Sequence, residues 1–156
     1  MENRKKLKIA IGTDAFPPTT DGISNVAQNY AQIINKNLGE AVVITPKNPN
    51  QLDYRYNYRI YRHKSWWIPS KQGCSVGWPF KDELHQDISD MNFDLLHSHA
   101  PLATSYYFRR VVEKKKIPVV LTYHTKYEYD IDKRVPTKPA RDFAYNFLLN
   151  NINAAD

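Results

Sequence analysis

Three short segments hold the residue types that can do chemistry. They are His97-Ser98-His99-Ala100-Pro101, Thr122-Tyr123-His124-Thr125-Lys126-Tyr127-Glu128, and the stretch from Thr13-Asp14-Ala15 through Asp21-Gly22-Ile23-Ser24. Each follows an apolar run. Side chains alternate along an extended chain, so His97 and His99 share one face and Ser98 takes the other. An imidazole offers a donor and an acceptor, which suits hydroxyl groups or phosphate. A lone strand-end histidine is usually structural. His99 and His124, at matching positions of successive strands, instead suggest one shared cleft. Gly22, opening a helix, would let a ligand approach free backbone N–H groups that favour phosphate; the plain alternative is an ordinary turn. No GxGxxG fingerprint, Gly-Lys-Ser/Thr loop or nucleophile elbow occurs, which argues against dinucleotide, Walker-loop and Ser-His-Asp chemistry.

The elements that must position these residues alternate between short apolar runs and helical patterns, the mark of parallel βαβ units. Leu7 to Thr13 is a predicted strand, followed by a loop from Asp14 to Gly22 that carries Pro17-Pro18. Ile23, Val26, Ala27, Tyr30, Ala31, Ile33, Ile34 and Leu38 have helical spacing with a buried stripe, and Gly39 closes that helix. Ala41 to Thr45 is an unbroken buried strand. Tyr58 to Arg62 is a weaker third strand, and Trp66 to Pro79 is expected to be a long functional loop. Phe80 to Met91 predicts a helix, Asp94 to Ser98 a strand, Leu102 to Lys114 a helix and Pro118 to Tyr123 a strand. A polar loop then leads to a final amphipathic helix from Ala140 to Ile152. The expected fold is α/β: a Rossmann-like, doubly wound, mainly parallel sheet. Ligands of such sheets bind outside the carboxyl ends of the strands, where the strand order switches.

A chain of 156 residues supports one domain, residues 1–156, and its 42% hydrophobic and 24% charged content is globular. Cys74 is the single cysteine, so an internal disulfide is excluded and a reducing compartment is the default. No Cys/His cluster has metal-ligand spacing, and no metal is expected. No run approaches the roughly 20 apolar residues of a membrane span, and no signal peptide is visible. The net charge of +6 reads either as attraction to phosphates or as a solvated lysine-rich surface.

Taken together, Asp14-Ala15-Phe16-Pro17-Pro18 with Asp21-Gly22-Ile23, Asp94 to Pro101, and Ile117 to Thr125 resemble the N-terminal domain of family-4 retaining glycosyltransferases. Tyr123 to Glu128 is most similar to the subgroup that glucosylates diacylglycerol. The resemblance runs from Leu7 to the end of the chain. It implies the N-terminal, acceptor-side half of a two-domain GT-B enzyme, ending before the C-terminal nucleotide-binding domain. That enzyme would transfer a hexose, glucose first among them, from a nucleotide sugar such as UDP-glucose to a lipid or other hydroxyl acceptor. Gly22 would lie against the donor diphosphate, and His124 would contact the donor sugar at the reaction centre. His99 would line the acceptor side, with Asp21 and Thr125 as neighbours. No cofactor beyond the donor is implied, and the missing domain would be needed for activity.

Lys64, Trp66 and Trp67 sit in a segment that mixes cations with paired tryptophans, which suits an anionic bilayer interface. The alternative packs those tryptophans on the sheet. The expected location is cytoplasmic, with peripheral association at the inner face of the plasma membrane. Arg109, Arg110 and Lys114 to Lys116 read as a solvated face, with membrane contact as the sharper alternative. Two rival classes stay open: an interaction domain that keeps the fold without catalysis, and a nucleic-acid-binding module. Scattered basic residues, not interleaved with aromatics, argue against nucleic acid as a partner.

Overall fold

The computed structural model describes residues 5–68, 74–78, 80 and 83–156. Strand β1 (Leu7–Gly12) leads into helix α1 (Gly22–Asn37), followed by β2 (Gly39–Pro46), a 3-10 turn at Asp53–Arg55 and β3 (Arg59–His63). Then come β4 (Ser65–Ile68), β5 (Cys74–Gly77), α2 (Leu84–Asp90), β6 (Leu95–Ser98), α3 (Ala103–Val112) and β7 (Val119–Leu121). Helices α4 (Tyr127–Arg134) and α5 (Lys138–Ile152) complete the chain.

The main sheet has the order β3-β2-β1-β6-β7, and every pairing in it is parallel. The chain winds outward from β1 through β2 to β3. It then returns to the other side of β1 with β6 and β7, so the switch point lies between β1 and β6. This is the expected Rossmann-like α/β fold. Its two faces carry separate cores. Ile9, Ile11, Ala41 and Val43 pack against Ala27, Ala31 and Ile34 of α1. Ala10, Val42, Ile44, Leu96 and Val119 pack against Ile88 of α2 and Tyr107, Phe108 and Val111 of α3. Consecutive strand residues thus feed opposite cores, which explains the unbroken apolar run in β2.

The main departures from expectation lie at the margins of the sheet. Of the α1 stripe, Ala27, Ala31 and Ile34 are buried, whereas Tyr30 and Ile33 are exposed at 45% and 58%. Gly39 does not cap the helix. The Leu38 N–H closes α1 on Ile34 O at 2.9 Å, and Gly39 instead starts β2 with φ +156°. A Cβ there would stand 2.1 Å from Leu7 O, so glycine permits the close start of the β1–β2 pair. The expected long loop contains an antiparallel hairpin, in which Trp66 pairs with Val76 and Ser65 with Gly77. Its proline and glycine content hid two short strands of only four residues each. The helix expected from Phe80 begins only at Leu84, and the polar loop before α5 contains α4.

Candidate active site

The carboxyl ends of β1, β6 and β7 bring the three chemistry-bearing segments together. His99 N donates to Gly12 O at 2.8 Å, and Thr122 N donates to Ser98 O at 2.8 Å, so both pairings run one step past the strands. A cavity of about 370 Å³ opens there. Its lining is mainly apolar, with Val76 and Gly77 of the hairpin, Leu102, Ala103 and Phe147, and Asp14, Asp21, Thr125 and Tyr127 supply its polar groups. Among the described residues no lysine or arginine lines it.

Asp14 follows β1 and accepts from Thr104 N, in the first turn of α3, through Oδ1 at 3.2 Å and Oδ2 at 3.4 Å. Burial pushes this carboxyl up to about 7, against the pull of those hydrogen bonds. Asp21 caps α1, its Oδ1 accepting from Ser24 N at 2.7 Å. The cap and the cavity wall are therefore the same residue. Gly22, the first residue of α1, has open space where a Cβ would stand. Thr125 O accepts from Tyr127 N at 2.9 Å. Burial, followed by the Asp14 carboxylate, pushes the Tyr127 phenol up to about 12.

Beside the cavity stands a column of imidazoles. The His97 and His99 rings stack at 4.3 Å, and His99 stacks on His124 at 5.4 Å with 14° between planes. His99 Nδ1 lies 3.1 Å from His124 Nε2. His97 Nε2 meets Thr122 Oγ1 at 2.8 Å, and Tyr30 of α1 presents its ring to both His97 and His99. Burial, then the neighbouring imidazoles, lowers His99 to about 3; burial, then His124, lowers His97 as well. Ser98 takes the opposite side, bonded to Ser105 Oγ at 2.7 Å. The alternation along β6 is as expected.

Two sequence expectations change here. β6 and β7 pair Ser98 with Leu121, so His99 falls opposite Thr122 and His124 two residues further on. The histidines meet without being in matching register. His99, with no exposed surface, does not line the cavity; it lies behind His124. Sequence reasoning assigned no role to Asp14 or Tyr127. The available signal for Asp14 was its place directly after the first strand.

Trp66 is half exposed and packs edge-on against Trp78 at 4.3 Å, with Phe80 beyond Trp78 at 5.4 Å. Lys64 Nζ sits 5.3 Å over the Trp78 ring. The expectation for the Trp67 side chain lies outside the described residues. Arg110, exposed, pairs with Glu113, whereas Arg109 is half-buried over Tyr106 and the half-buried Lys115 reaches Met91 O, so the expected solvated face is only partly exposed. No described helix is long and apolar enough to cross a membrane.

A parallel doubly wound sheet with a cavity at its switch point is the architecture of a ligand-binding α/β domain. The family model for Glycosyltransferase Family 4 matches residues 20–156, and the chain belongs to that family. The matched span includes Asp21, Gly22, His99, His124 and Thr125, and leaves out β1 and Asp14. No curated protein matches the chain.

Proposed function

We propose that this domain is the acceptor-side wall of a retaining hexosyltransferase, which moves glucose from a nucleotide sugar such as UDP-glucose to the hydroxyl of a lipid acceptor. The observation that carries the reading is a largely apolar cavity with a few polar side chains in its lining that runs on into a wholly apolar groove. The cavity shares Val76, Leu102, Tyr127 and Phe147 with that groove, which has a volume of about 680 Å³. The groove runs on past Ile131, Val135 and Phe143 of the α4–α5 region. A molecule with a hydroxyl head and a hydrocarbon tail satisfies both: Asp14, Asp21, Thr125 and Tyr127 supply hydrogen bonds, and the groove removes the tail from water.

Asp14, Asp21, Thr125 and Tyr127 suit hydroxyls. The donor diphosphate is assigned to the N-terminus of α1 beside Gly22, where the helix dipole favours an anion and the Asp21 cap on Ser24 N is the negative charge it must be balanced against. The cations that grip the rest of the nucleotide belong to a second domain, which completes the cleft. In the reaction the bond from the anomeric carbon to the diphosphate breaks. The acceptor oxygen bonds that carbon on the same face, and its proton passes to the departing diphosphate. His124, exposed and one residue before Thr125 of the cavity lining, interacts with the donor sugar as charge develops. Lys64 and Trp66, on the hairpin whose β5 walls the cavity, suit contact with an anionic bilayer that holds the acceptor.

The test is product analysis. The enzyme completed by its nucleotide-binding domain, given UDP-glucose and diacylglycerol vesicles, should yield an α-linked glucosyl lipid. A β-linked product would contradict retention. Transfer to soluble sugars with none to lipid would contradict the acceptor assignment. Calorimetry on residues 1–156 should find UDP-glucose binding weaker than micromolar, because in this reading they supply one wall of the donor site.

A further inference from the structure

We infer that His99 is a positioning residue that donates its Nδ1–H to His124, so that His124 carries its own proton on Nδ1. The argument starts from two nitrogens 3.1 Å apart, His99 Nδ1 and His124 Nε2. One must donate and the other accept, so two neutral arrangements compete. They differ in what they leave at the far side of His99. His99 Nε2 is buried with no hydrogen-bond partner. If His124 donated, His99 would carry its proton on that Nε2, and a buried N–H would be orphaned. If His99 donates, only a lone pair is left unpaired there. Orphaned buried N–H groups are the rarer of the two in folded proteins.

The ring environment removes other escapes. His99 has no exposed surface, is stacked between His97 and His124, and is flanked by Tyr30 of α1. Its far nitrogen has no contact with bulk water, and burial favours the neutral form. The ring cannot satisfy Nε2 by flipping while it keeps its bond to His124. His97, held by Thr122 Oγ1, fixes the stack from below. With Nε2 of His124 occupied as an acceptor, Nδ1–H is the ring donor left for a bound hydroxyl or phosphate oxygen. The inference deepens the reading of His124 as the group beside the donor sugar, and rests on that reading only for its functional meaning.

The experiment is two-bond ¹H–¹⁵N correlation NMR of the imidazoles in the chain as it stands, which reads each tautomer directly. His99 and His124 should both show the Nδ1–H pattern. An Nε2–H pattern at His99 overturns the inference, whatever the enzyme's substrate proves to be. His99→Asn, which can keep a donor near the Nδ1 position, should leave His124 in the Nδ1–H form. His99→Leu should release it toward the Nε2–H form. An unchanged His124 spectrum in a folded His99→Leu protein shows that His99 does not set the tautomer. Should His99→Leu fail to fold, the wild-type and His99→Asn spectra decide the matter.

Discussion

The carboxylate of Asp14 bridges 90 residues of chain to accept the Thr104 N–H at the start of α3, and in doing so places itself in the wall of the cavity. One residue thus joins the end of β1 to the helix that follows β6. It does so at an electrostatic cost, because the same position removes the carboxylate from water.

That cost makes stability depend on pH in a definite sense. Asp14 rises from 3.8 to about 7 on folding, so the folded state binds its proton more tightly than the unfolded state does. Stability from this group is full below pH 4 and falls as pH rises through 7. Asp14→Asn keeps an acceptor for Thr104 N and cannot ionise. Its melting temperature relative to wild type should climb between pH 4 and 7 and level off above. A constant difference across that range would mean that Asp14 is not held in its protonated form.

The glycines separate scaffold from site. Gly39→Ala drives a Cβ onto Leu7 backbone atoms, and Gly12→Ala drives one to 2.6 Å from the Phe108 ring. Each should destabilise by about 1–3 kcal/mol, Gly39 the more because backbone cannot step aside. Gly22→Ala meets nothing within 4 Å, and alanine suits a helix better, so stability should hold. Donor binding by the complete enzyme should still weaken. Denaturant unfolding alongside donor titration checks both halves.

His124→Ala in the complete enzyme should lower kcat by about 10²–10³, some 3–4 kcal/mol of barrier, with a smaller effect on KM. The variant also removes the acceptor for the buried His99 Nδ1, so melting temperature should fall modestly while the folded enzyme shows the loss of turnover. Thr125→Ala should cost less. A variant that melts early yet turns over normally while folded would make His124 a structural support for the imidazole stack.

Much of this was legible in the residues because burial on both faces writes itself as apolar runs: β1, β2 and β6 stood out, and with them the strand ends that carry Thr13 and His99. The hairpin was hidden because short strands outside the main sheet need no such run, and Trp66 stays half exposed. Helix α4 was hidden because none of its residues is buried, so it has no apolar stripe to read. Asp14 and Tyr127 could be placed in one cavity only once the register of β1, β6 and β7 was known. Asp21, expected only as a neighbour of the site, caps α1 and stands in the cavity lining, and the cap was not read from the sequence.

The central claim, that the switch-point cavity and its apolar groove together hold a hydroxyl-bearing lipid, is tested most directly by backbone ¹H–¹⁵N shift mapping with a short-chain diacylglycerol. The account predicts saturable shifts at Asp14, Thr125 and Tyr127 together with Ile131, Phe143 and Phe147, and their loss at the groove when the ligand is glycerol alone. Shifts confined to other surfaces, or equal responses to glycerol and to the lipid, would contradict it.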